Sequence, residues 1–113
     1  MRLLPKPTAI FAANDLIALG ILAAVREARI HCPDVISIVG FDDLEGTFFT
    51  DPPLTTVAQP AYQLGAHAVR VLLSRIRDED IPKQVVKLKT ELRIRDSVRA
   101  ISHRQITRIA NSS

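Results

Sequence analysis

Three short apolar runs, each closed by a polar side chain, constrain this chain more than any other feature. Ala9-Ile10-Phe11-Ala12-Ala13 runs into Asn14-Asp15, Val35-Ile36-Ser37-Ile38-Val39 into Gly40-Phe41-Asp42-Asp43, and Leu54-Thr55-Thr56-Val57-Ala58 into Gln59. Runs of about five β-branched or small apolar residues suit strands covered on both faces. A long helical pattern separates the first two, so the unit reads β, α, β, and a right-handed crossover makes the pairing parallel. Ligands of open parallel sheets sit at the carboxyl ends of the strands. Asn14, Asp42 and Gln59 occupy those positions.

Asn14 suits the N-cap of the first helix, because its side-chain oxygen can accept from a backbone N–H one turn on. Leu16, Ile17, Leu19, Ile21, Leu22 and Val25 cover much of that helix's circumference. So much apolar surface predicts burial on two sides, one against the sheet and one against a partner subunit. After Asp42-Asp43 an irregular stretch carries the adjacent aromatics Phe48 and Phe49, and Pro52-Pro53 separates it from the third strand. Pro60 then opens an amphipathic helix with Leu64, Ala68, Val71, Leu72 and Ile76 on one face. The pattern ends it near Asp78-Glu79-Asp80. Val85 to Leu88 and Glu91 to Arg95 read as extended segments, the second half-exposed. Residues 98–113 form a basic tail.

Length and charge narrow the function classes. The chain has 113 residues, 47% hydrophobic and 24% charged, which fits at most one domain with its own core. Residues 1–97 carry twelve Lys or Arg against twelve Asp or Glu, so the net +3 comes from Arg99, Arg104 and Arg108 alone. A nucleic-acid reader carries its basic face on the folded part, which argues against direct DNA contact by the body. No run reaches a membrane span, no secretory leader is visible, and the single Cys32 cannot form an internal disulfide. These features read as cytoplasmic.

The side chains offer little covalent chemistry. Asp42 and Asp43 are adjacent at a strand end and should point apart, unlike the paired carboxylates of a glycosidase. Asp43 reads as a capping or loop carboxylate, and Gln59 could serve as a hinge residue pairing with backbone. Asp42 can accept two hydrogen bonds in fixed geometry from the hydroxyls of a small ligand. His31, His67 and His103 complete no metal pattern with Cys32, which reads as incidental, and His67 reads as solvated. Phosphate-binding and nucleophile-elbow motifs are absent. No cofactor or metal is expected.

In order and spacing, Pro7-Thr8-Ala9-Ile10-Phe11-Ala12-Ala13-Asn14-Asp15, Leu16-Ile17-Ala18-Leu19-Gly20, Val39-Gly40-Phe41-Asp42-Asp43 and Pro53 to Pro60 resemble the C-terminal portion of a lactose/galactose-repressor family transcriptional regulator. The resemblance implies a partial α/β, periplasmic-binding-protein-like (type I) fold, a parallel sheet flanked by helices. It implies that residues 1–97 are part of an effector-binding domain, with 1–59 from the second lobe and 60–97 returning to the first. Asn14, Asp42 and Gln59 would contact a small-molecule effector, a sugar or similar. Leu19, Phe48 and Phe49 would lie on a homodimer surface. DNA would be bound only through a headpiece with no counterpart here, and the amphipathic helix would lack the strands it packs on. Two rivals remain open: the sugar-binding protein of a transporter, and a Mg²⁺-dependent phosphotransfer domain using Asp42 and Asp43.

Overall fold

The computed structural model describes residues 6–78, 80–102, 104, 107, 110 and 111. Glu79, His103 and Arg108, on which expectations were placed, lie outside the described residues. The elements are β1 (Ala9–Phe11), α1 (Asp15–Glu27), β2 (Ser37–Val39), a 3₁₀ turn (Thr47–Phe49), β3 (Thr56–Ala58), α2 (Ala61–Arg77) and β4 (Glu91–Arg93).

The expected β-α-β unit is present. β1 and β2 pair in parallel with Ile10 opposite Ile38. β3 joins β2 through parallel bridges, Val39 to Thr55 and Asp42 to Ala58. β4 then pairs antiparallel with β3, Val57 opposite Leu92, so the chain's return gives the sheet a mixed edge.

Between β2 and β3 the hydrogen bonding is completed by Ser97, which is fully buried. Its Oγ donates to the Ile38 carbonyl at 2.6 Å and accepts from Thr55 N–H at 2.8 Å, while its own carbonyl accepts from Ile38 N–H at 2.8 Å. A serine thus stands in for the missing ladder contacts. Buried backbone groups require such partners.

α1 is closed at both ends by local chemistry. Asn14 caps its start, the Oδ1 accepting from Ile17 N–H at 2.9 Å. At its end Arg29 takes a left-handed φ of 57°, Arg29 N–H bonds to the Arg26 carbonyl and Ile30 N–H to the Val25 carbonyl. That is the double closure usually built on glycine. Ala18 and Leu22 face the sheet and form the core with Ala12, Ile38 and Leu54; Leu19, Ile21, Val25 and Cys32 pack around it.

Several expectations need correction. β1 is not covered on both faces: it lies at the sheet's edge, with Ala9 and Phe11 exposed. On α1 the sheet-facing side is buried as expected, and Leu16 and Ile17 lie open on the side expected to meet a partner subunit. Val85 to Leu88 joins no ladder, and β4 is exposed at all three residues rather than half-exposed. Pro60 is the N-cap of α2 rather than its first residue.

α2 buries no residue at all. Its face of Leu64, His67, Ala68 and Val71 lines a shallow groove with Gln84, Val86 and Leu88. The helix and the following segment lengthen the molecule to 58 Å, with a radius of gyration of 19.3 Å, where a compact chain of about 100 residues has about 13 Å.

Candidate functional site

The polar strand ends gather around one loop, residues 40–44, which leaves β2. Its path is set by Asp15, the residue after the Asn14 cap. Asp15 N–H donates to the Phe41 carbonyl at 2.9 Å, and its fully buried carboxylate accepts from Thr56 Oγ1 at 2.6 Å and Leu44 N–H at 2.8 Å. One carboxylate therefore ties α1, the loop and β3 together. Gly40 makes this possible, since a Cβ there would collide with Asp15 Oδ1.

Asp42 and Asp43 follow with φ values of 126° and 57°. Non-glycine residues in this region cost roughly 1–3 kcal/mol each and persist only where the surroundings hold them. Asp42 N–H donates to the Val57 carbonyl at 2.9 Å, and Asp43 N–H to Thr56 Oγ1 at 3.3 Å. The two carboxylates point apart as expected. Asp42 Oδ1 accepts from Gln59 Nε2 at 2.5 Å. Asp43 Oδ1 accepts from Arg95 Nη2 at 2.8 Å, with Arg93 Nε at 3.8 Å from its other oxygen.

Of the three sequence-predicted site residues, Asp42 and Gln59 are in direct contact, and both are half-buried. Gln59 pairs with a side chain, not with backbone. Asn14 caps α1 through its side-chain oxygen while its backbone carbonyl accepts from Ala18 N–H, and its side chain makes no further hydrogen bond among the described residues, which leaves the two amide protons available. The Asp42–Gln59 pair offers carboxylate and amide oxygens as acceptors and an N–H as donor, a set suited to hydroxyl groups. Asp43, already neutralised by Arg95, is unsuited to share a cation with Asp42. Among the described residues no group of three His, Cys, Asp or Glu could hold a metal ion.

A concavity of about 450 Å³ lies elsewhere, beside the end of α1, lined by Leu22, Arg26, Arg29, His31 and Asp51 among others. None of the three polar strand-end residues borders it.

The surface residues behave unequally. Phe48 and Phe49 stack edge to face at 5.4 Å and are 60% and 84% exposed. Leu19 is only half-exposed and packs on the core, so it belongs as much to the fold as to any surface. Cys32 is not incidental: it packs against the core, and its Sγ donates to the Ser97 carbonyl at 3.4 Å. Burial pushes its thiol pKa up, helped by the charge of Asp34 and opposed by a hydrogen bond with the Ile38 backbone. His67 is half-buried in the α2 groove, not fully solvated.

Arg95, Asp15 and Ser97 organise this region, and none was singled out from the sequence. Asp15 and Ser97 resemble ordinary loop and cap residues until the chain is folded.

A family model described as a periplasmic binding protein-like domain matches residues 1–98. The HTH-type transcriptional repressor PurR of Vibrio vulnificus is 38% identical over 97 residues, covering 86% of this chain and 29% of its own length. Among solved structures, a LacI family transcriptional regulator from Enterococcus faecalis V583 with bound ribose superposes with a TM-score of 0.77 at 36% identity, over 83% of this chain and 35% of its own. A putative transcriptional regulator LacI from Bacillus cereus subsp. cytotoxis reaches a TM-score of 0.83 at 31% identity, over 86% of this chain and 34% of its own. The chain spans about 29% of the length of the PurR relative.

Proposed function

The chain belongs to the periplasmic binding protein-like domain family, in its lactose-repressor-type branch of transcriptional regulators, and on that premise we propose that it supplies one wall of a small-molecule effector site that controls DNA binding by a complete regulator. Residues 1–59 belong to the second lobe of that sensor and residues 60–97 return to the first. The reading is non-enzymatic and cytoplasmic. Among the described residues no helix is long and apolar enough to cross a membrane.

The observation that carries it is the Asp42–Gln59 contact at the ends of neighbouring strands. Gln59 holds the Asp42 carboxylate by one oxygen, leaving its remaining lone pairs for vicinal hydroxyls of a sugar-like ligand. Asn14 adds donors from the end of β1. The opposite wall comes from the other lobe, and closing the lobes around the ligand shifts their relative orientation. Differential affinity for the open and closed arrangements is what biases operator binding. Phe48 and Phe49, with the exposed face of α1 and the half-buried Leu19, form the homodimer surface, and DNA is reached through a headpiece outside these residues. A repressor among the relatives favours this reading over a transporter's binding protein.

The test is an NMR titration of the chain with D-ribose, the sugar bound in the Enterococcus faecalis structure. Saturating shifts confined to Asn14, Asp42 and Gln59, weak in affinity and lost in Asp42→Ala, support the proposal. Binding that survives Asp42→Ala contradicts the placement of the site.

A further inference from the structure

The guanidinium of Arg95 joins two places that the proposed function treats separately. On one side it holds Asp43 at 2.8 Å, next to Asp42 in the strained loop. On the other it lies 5.4 Å from the centroid of the Phe48 ring, within cation–π range. Between them its Nη1 donates to the Leu54 carbonyl at 3.0 Å and to Thr47 Oγ1 at 3.2 Å. Both terminal nitrogens of the planar fork are thus held, and the side chain is only 15% exposed.

We propose that Arg95 is a positioning residue that sets the geometry of the Asp42 loop and couples it to the exposed Phe48 ring, so that a ligand on Asp42 and a contact on Phe48 influence each other. The inference rests on the effector reading of Asp42 but is measurable without any ligand. Three structural features support it. Asp42 and Asp43 both have positive φ, so the loop keeps this shape only while its neighbours hold it. Asp43 is held chiefly by Arg95, with Arg93 more distant at 3.8 Å. Displacing the Phe48 ring removes a face on which the guanidinium rests, and a rigid fork cannot move at one edge without moving at the others. By linkage the influence runs equally in both directions.

Phe48→Leu removes the ring from an exposed site and should leave the fold intact. Arg95→Lys keeps a positive charge for Asp43 but cannot span Asp43, Leu54 and Phe48 together. The reporter is the side-chain amide resonance of Gln59, which reads the Asp42 carboxylate directly. All four proteins of the cycle are compared as full chains: native, Phe48→Leu, Arg95→Lys and the double variant. A direct ring-current effect of Phe48 is present in both backgrounds and cancels. The proposal expects Phe48→Leu to move the Gln59 resonance by at least a linewidth more in the native background than in the Arg95→Lys background. An equal response in both backgrounds, or none in the native one, overturns it. The ribose titration is independent: coupling without ribose binding at Asp42 leaves Arg95's role intact and removes the effector reading, whereas Asp42-dependent binding without coupling does the reverse.

Discussion

The two helices of this chain make opposite use of apolar surface. α1 is apolar over most of its circumference, yet it is firmly placed, because Ala18 and Leu22 meet Ala12, Ile38 and Leu54 on the sheet. α2 has the cleaner amphipathic pattern and buries nothing; Leu72 and Ile76 are 58% and 68% exposed. A helix is stabilised mainly by what its apolar face packs against rather than by its own propensity. Periodicity therefore announces that a face needs a covering without saying where the covering is. In the proposed arrangement the covering is the first lobe.

The largest effect that would break this contrast lies in the core. Ile38→Ala or Leu54→Ala should cost about 2–5 kcal/mol in urea unfolding, because both side chains are fully buried. Leu72→Ala or Ile76→Ala should fall within about 0.5 kcal/mol of the native chain. Comparable losses in the two sets would mean that α2 has a packing partner of its own.

Ser97→Ala comes next. It removes the hydroxyl that serves both Ile38 and Thr55 and leaves their backbone groups unpaired in the interior. A loss of about 1–3 kcal/mol is expected, read as a lower urea midpoint with unchanged slope. Exposed Ser74→Ala should do nothing comparable.

Asn14→Ala should cost about 1 kcal/mol through the lost cap; Asn14→Asp restores the acceptor and the stability but removes the amide donors. If the proposed wall is right, Asn14→Asp weakens ribose binding while thermal unfolding stays near native. Equal affinity in the two proteins would confine Asn14 to capping.

The smallest effect concerns Cys32. Its thiol pKa is raised by burial in the folded chain, so folding favours the protonated form. That contribution is complete below the usual thiol range and is lost as pH rises through the elevated folded value. Alkylation by iodoacetamide near pH 8.5 should be slower in the folded than in the urea-unfolded chain, and stability should decline modestly at higher pH. Equal alkylation rates would place the thiol at the surface.

What was legible beforehand follows the range of the interactions. The Asn14 cap is a contact across three residues, and the β-α-β pairing and the end of α2 rest on periodicity, so a one-dimensional reading reaches them. The separation of Asp42 and Asp43 was expected from their adjacency at a strand end, but the loop that produces it, with positive φ at both residues, was not. Asp15, Ser97 and Arg95 act across 41, 59 and 52 residues respectively, where no local pattern distinguishes them from ordinary polar residues. The exposure of β1 was missed for the same reason: an apolar run does not show whether its strand lies at the centre or the edge of a sheet.

Amide hydrogen exchange across the whole chain tests most directly the claim that the polar wall stands on a folded body while α2 stands apart. The amides of Ala12, Ile38, Gly40, Asp42 and Thr55, all bonded between segments, should exchange slowly and with similar protection, close to that of global unfolding. Those of residues 65–77 should exchange orders of magnitude faster. Protection of α2 equal to that of Ile38, or rapid exchange at Gly40 and Asp42, would contradict the account.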